Sequence, residues 1–240
     1  MNLRKAIFAP GITAVIVLSV SLYAQENTGQ QAGQKRSIAA ERISLYTVPL
    51  VCKSAPELGC GSRAKPILQE LERTSSVGEA WLNRRGTLMA IVWMAASTPD
   101  ARAAALKSFL EKKHDLELQE LSGEVRDSTL KSFLVGTGWY RGAAVDRLSE
   151  EEAVVIAARL VRRIEARTSL SAGQVKALQL AFASVFKGSF IDGSTQPGQT
   201  RQNQIENGLL NAGRKHLDEI GVAALQQAVA PGYRPLSNEK

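Results

Sequence analysis

The sequence predicts an α+β protein, with a β-α-β-β-α-β first half and an α-helical second half. Period-two apolar runs separated by helix-start signals occupy residues 42–121, whereas 3.6-period stripes without strand signals occupy roughly 149–230. Aromatic residues are sparse at 5% and hydrophobic residues reach 44%, which favours helices and a compact sheet over an aromatic-rich sandwich. With only 22% charge, the composition is that of a folded chain, and 240 residues suffice for one large or two small domains.

The chain opens on an export signal. Arg4 and Lys5 precede the apolar run Ile12 to Leu22, which ends in Tyr23-Ala24-Gln25. This predicts a signal peptide over residues 1–24, cut after Ala24, with Ser21 as the fallback and an uncleaved anchor as the alternative. The run falls short of the roughly 20 apolar residues that span a bilayer comfortably, and no other stretch qualifies. The expected location is therefore outside the cytoplasm, in the periplasm or cell envelope. Removing Arg4 and Lys5, the two charges in that segment, lowers the net charge from +7 to +5. The remaining basic residues are interspersed with acids. That suits an anionic surface or an envelope protein partner, and no Lys/Arg block with interleaved aromatics argues for nucleic acid. Residues 25–41 are rich in Gln and Gly and read as a flexible linker.

An α+β domain is expected over 42–123. Arg42 to Val51 alternates as a strand, weakened where Pro49 lacks a ladder donor. A loop follows with both cysteines of the chain, Cys52 and Cys60. Ser62 is the expected N-cap of a helix carrying Ile67, Leu68 and Leu71. Val77–Asn83 and Thr87–Met94 form a hairpin around Asn83-Arg-Arg-Gly86, and the second strand, apolar on both faces, should be central. Thr98-Pro99-Asp100 starts a second helix with a stripe of Ala101, Ala105, Leu106, Phe109 and Leu110. Leu116 and Leu118 mark a last strand. The order is the split, ferredoxin-like one, with the first and third strands central and both helices on one face. The opposite face of the third strand then needs a cover.

A helical domain over 124–232 is the candidate cover, with 233–240 as a tail. After a link containing Gly136, Gly138 and Trp139-Tyr140, Ser149 to Glu152 reads as a capping box opening a helix. Arg159, Arg162, Arg163 and Arg167 are expected on its solvated side. Leu170 to Gln174 opens a second helix, pairing with the first as a hairpin. A third helix runs through Ile205, Leu209, Leu210 and Leu217 to a break at Gly221, and Val222–Ala230 is a short closing helix.

The order of elements and the place of Cys60 resemble the heavy-metal-associated domain over residues 43–121. That family holds a soft metal on a Cys-x-x-Cys loop between first strand and first helix. Here Gly59-Cys60-Gly61-Ser62-Arg63 fills that position, with Arg63 in place of the motif's second cysteine and Leu58 in place of its methionine. The resemblance carries over Cys60 alone as a ligand, and Cys52 would have to fold back to supply the second thiolate.

Three readings of the cysteines stand side by side. An even pair in an exported protein most often forms a disulfide, and Cys52–Cys60 would stabilise the fold by about 2–3 kcal/mol. In that case the protein is a structural or partner-binding envelope protein. A non-enzymatic binding protein would hold a soft ion, copper(I) or mercury(II), on the two thiolates. Arg63 and Lys65, at the start of the helix, would lower the Cys60 pKa and are the remaining candidate binding residues. A thiol oxidoreductase is the third reading, against which stands the lack of a Cys-x-x-Cys. Non-enzymatic function is favoured. His114 and His216 each stand alone, the Glu150–Glu152 run is attributed to a helix start, and no phosphate loop, nucleophile elbow, zinc helix or calcium loop is present.

Overall fold

The computed structural model describes residues 36–112, 116–193 and 200–239. The signal segment, the linker up to residue 35, His114 and part of the Gly188–Thr200 loop lie outside these residues. Within them, the β-α-β-β-α-β order is realised by β1 (Ile43–Thr47), α1 (Gly61–Glu72), β2 (Val77–Asn83), β3 (Leu88–Trp93), α2 (Pro99–Lys112) and β4 (Gln119–Glu120). After them come α3 (Gly123–Val135), β5 (Trp139–Tyr140), α4 (Asp146–Glu165), α5 (Ala172–Lys187), α6 (Arg201–Gly213) and α7 (Glu219–Val229).

The sheet is antiparallel throughout in the order β4-β1-β3-β2-β5, so β1 and β3 are interior. Strand β3 is buried on both faces for a period-two reason. Met89, Ile91 and Trp93 face α1 and α2, together with Tyr46, Leu68, Leu71 and Phe109. Ala90 and Val92 face the other way with Ile43, Leu45 and Trp81, against Phe133 of α3. Phe133 is fully buried and meets Trp81 and Trp139 edge-on at 5.9 and 5.1 Å. Burying such a side chain contributes about 1.5–3 kcal/mol.

Several boundaries differ from the sequence expectation. Strand β1 stops at Thr47, ahead of Pro49, which has no ladder donor; beyond it the Val48 and Leu50 N–H groups still donate to the Thr87 and Gly86 carbonyls, and Val51 makes an isolated bridge to Gly59. The N-cap of α1 is Cys60 rather than Ser62. Ala101 is exposed, so the buried stripe of α2 is narrower than its alanines suggested. The expected link holds α3, whose apolar face is interrupted by Ser, Lys and Asp and which ends on Gly136 at φ +93°. Helix α4 starts at Asp146, one turn before the expected cap, leaving Ser149 and Glu152 inside it. The α6–α7 break falls before Asp218, which caps α7 by accepting from the Gly221 N–H; Gly221 is inside that helix.

The helical half packs Ile156, Leu160 and Ile164 of α4 against Leu178, Phe182 and Phe186 of α5, closed by α6 and α7. Helix α5 begins with a capping box, Ser171 and Gln174 each accepting from the other's backbone N–H. Arg159 and Arg163 are buried, not solvated. Among the described residues, no helix is long and apolar enough to cross a membrane.

Candidate metal centre

The loop between β1 and α1 folds into a closed ring. The bridge between Val51 and Gly59 pinches its neck, while Cys52 N–H donates to Leu58 O at 2.8 Å and Cys60 N–H to Leu50 O at 2.7 Å. Ala55 and Leu58, both fully buried, fill the interior, so the two cysteines lie at one mouth. Val155 of α4 packs over them.

Close helix contact supplies a third group. A β-carbon on Gly61 would run into Ser149 Oγ and stand 2.8 Å from both the Ser149 nitrogen and the Val145 carbonyl. Only glycine lets the first turn of α1 sit this tightly on α4. One turn beyond Ser149, Glu152 points at the ring, and the ligand atoms of Cys52, Cys60 and Glu152 all lie within 4.8 Å of one another. Two ligands each about 2.3 Å from a single ion stand at most about 4.6 Å apart, so a spacing bounded at 4.8 Å is close to what a shared cation needs.

The disulfide expected from the cysteine count is absent: Cys52 and Cys60 are both free thiols. Cys52 Sγ is held inside its own loop, accepting the N–H groups of Ser54 and Ala55, each at 3.2 Å. Cys60 Sγ lies 3.5 Å from Ser62 Oγ at the start of α1. Their positions are set by different turns of backbone, and no disulfide joins them beside Glu152.

The protons distribute unevenly. Hydrogen bonding from Cys52 pushes the Cys60 thiol below its usual pKa, and Ser62, the Arg63 backbone N–H and the Arg63 charge act in the same sense against burial. Cys52 is pushed up by its bond to Cys60, by burial and by Glu152. Burial raises Glu152 to about 7, and the Cys60 charge adds to that. Glu152 Oε2 has no hydrogen-bond partner among the described residues although the residue is only 5% exposed. A buried carboxylate oxygen left so is costly unless something binds it.

The other expected binding residues are placed differently. The Arg63 side chain is exposed but its backbone N–H and charge act on Cys60 as expected, while Lys65 pairs with Asp146 at 2.6 Å and ties α1 to the start of α4. His216 takes no part: its carbonyl accepts from Gln174. In the sequence Glu152 reads as a capping residue, because Ser-x-x-Glu is also a helix-start pattern. The signal available was the i, i+4 apolar stripe, which already placed Ala153 and Ile156 inward beside it.

Two free thiols and a carboxylate converging at a helix start form a cluster able to coordinate a metal ion. The expected β-α-β-β-α-β order is present, with both cysteines in the loop after its first strand. Comparison with family models, with curated proteins and with solved structures finds no match.

Proposed function

We propose that the protein is an exported, non-enzymatic binding protein of the periplasm or cell envelope that holds one soft ion, such as copper(I), on Cys52, Cys60 and Glu152. The observation that carries this reading is the buried, unpartnered Glu152 Oε2 beside two free thiols. The Ser54 and Ala55 N–H groups on Cys52 are the kind of outer support that holds a metal thiolate in place. Burial of both sulfurs also supports binding over turnover, since a redox nucleophile needs access to its substrate. The export part of the reading rests on Arg4, Lys5 and the Ile12–Leu22 run.

Reduced protein titrated with copper(I) against a competing chelator is expected to take up one equivalent. Cys60→Ser should abolish uptake, and Glu152→Gln should weaken it by about 10-fold or more. Uptake that is absent in the wild type, or unchanged in Cys60→Ser, would sink the reading. The carboxylate oxygen also suits zinc(II), which takes sulfur and oxygen ligands together, so the same titration with zinc(II) decides the ion class.

A further inference from the structure

The structure ties the metal loop to a segment far along the chain. Glu152, Arg159 and Arg163 recur at seven and four positions along α4 and so share one face of it. Arg159 is 6% exposed, and its Nη1 donates to two carbonyls at once, Ser54 at 2.6 Å and Tyr233 at 2.9 Å. Ser54 is the residue whose own N–H donates to Cys52 Sγ. One guanidinium therefore joins the peptide that holds a sulfur to the segment that follows α7.

That segment is itself locked. Arg163 grips the Glu239 carboxylate through both oxygens at 2.7 and 2.8 Å, and donates to the carbonyls of Gly232 and Arg234 at 2.6 and 2.7 Å. Glu239 Oε2 also accepts from the Leu236 N–H and lies 3.9 Å from Arg159 Nε. Such charge-assisted, paired contacts are the strong ones, and here they fasten a segment with no regular structure of its own.

We propose that Arg159 is a positioning residue that holds the Cys52–Cys60 loop shut, and that the segment Tyr233–Glu239, latched by Arg163, sets how readily the loop opens to admit or release its ion. The statement about the ion rests on the metal-binding reading; the statement about loop opening stands without it. Loop opening is local and exposes Cys52, so it is read as a rate at that residue.

The test measures iodoacetamide alkylation of Cys52 in the metal-free full chain, by mass spectrometry under native conditions. Glu239→Gln, which removes a charge from the latch, should accelerate alkylation roughly fivefold. Arg159→Lys keeps the charge but not the forked reach, and should accelerate it too. Ile43→Val, in the sheet core packed with Phe133 and outside the cluster that holds Tyr233, should leave the rate unchanged and so separates latch release from general loosening. An unchanged rate in Glu239→Gln and Arg159→Lys, or equal acceleration in Ile43→Val, overturns the inference whether or not metal binds. Release of bound copper(I) to excess bicinchoninate should accelerate by the same factor as alkylation. Release that holds at the wild-type rate while alkylation accelerates overturns the link to the ion. A wild type that takes up no copper(I) removes the proposed function and leaves the alkylation result to decide the latch.

Discussion

Two buried polar clusters lie on the same face of α4, and they are finished in opposite ways. At the Arg163 end every guanidinium N–H has an acceptor: both Glu239 oxygens and the carbonyls of Ala228, Gly232 and Arg234. At the Glu152 end, Oε2 and the neighbouring Ser149 Oγ have none among the described residues. Both residues are about equally buried, each 5% exposed. Burial therefore does not distinguish them; satisfaction does. A charge whose hydrogen bonds all close within the chain is part of the scaffold. One whose bonds stay open in a tight cluster of ligating atoms is arranged for something that arrives later.

The largest effect should come from breaking the closed cluster. Arg163→Met leaves the Glu239 carboxylate and three carbonyls without their donor, and should cost about 3–5 kcal/mol. Urea unfolding measures it. A loss below about 1 kcal/mol would mean the cluster is no scaffold and would dissolve the contrast.

The open cluster should respond with the opposite sign. Glu152→Gln removes a buried carboxyl whose second oxygen is unpartnered, and should stabilise the metal-free protein by about 1–3 kcal/mol while weakening metal uptake. Equilibrium unfolding in the presence of a strong chelator reads the first effect. Destabilisation would show that Glu152 is a structural residue like Arg163. Beside the open cluster lies Gly61, whose close approach to Val145 and Ser149 brings Glu152 to the thiols. Gly61→Ala should cost about 1–3 kcal/mol by wedging the helices apart, with metal uptake lost along with it.

Much of the frame is legible in the sequence, for a definite reason. The β1–β3 faces, the α1 stripe and the α5 capping box are local patterns, and local patterns survive without knowledge of the partner that covers them. The cover itself is less readable. Helix α3 buries only Thr129 and Phe133, so its sequence carries little periodicity, and the aromatic contacts that hold it are supplied by Trp81 and Trp139 from elsewhere. The site is half readable. Cys52 and Cys60 stand out as residue types, but their redox state does not follow from their number. Glu152 and Arg159 were hidden because a capping carboxylate and a solvated arginine are what such residues usually are. Only the packing of α1 on α4, through Gly61, and the return of the chain after α7 turn them inward.

The smallest effect tests the closed cluster through pH. Hydrogen bonding to Arg163 lowers the Glu239 pKa to about 2, with the Leu236 N–H and the Arg159 charge in support. An unfolded glutamate titrates near 4.3, so the folded chain keeps this carboxylate charged where the unfolded chain takes up a proton. Its contribution is fully present above about pH 4.5 and is lost as pH falls towards 2. Glu152 works in the other direction: raised to about 7, it lowers stability as pH rises from about 4.5 to 7, so it cannot produce the acid-side loss. The difference in unfolding free energy between wild type and Glu239→Gln should be steady from about pH 4.5 to 6 and shrink through pH 3. Because Glu239 sits at the edge of the cluster, near water, the difference should amount to about 1 kcal/mol. A difference that persists unchanged at pH 2.5 would mean that Glu239 acts through its shape and not its charge, and that Arg163 is satisfied by carbonyls alone.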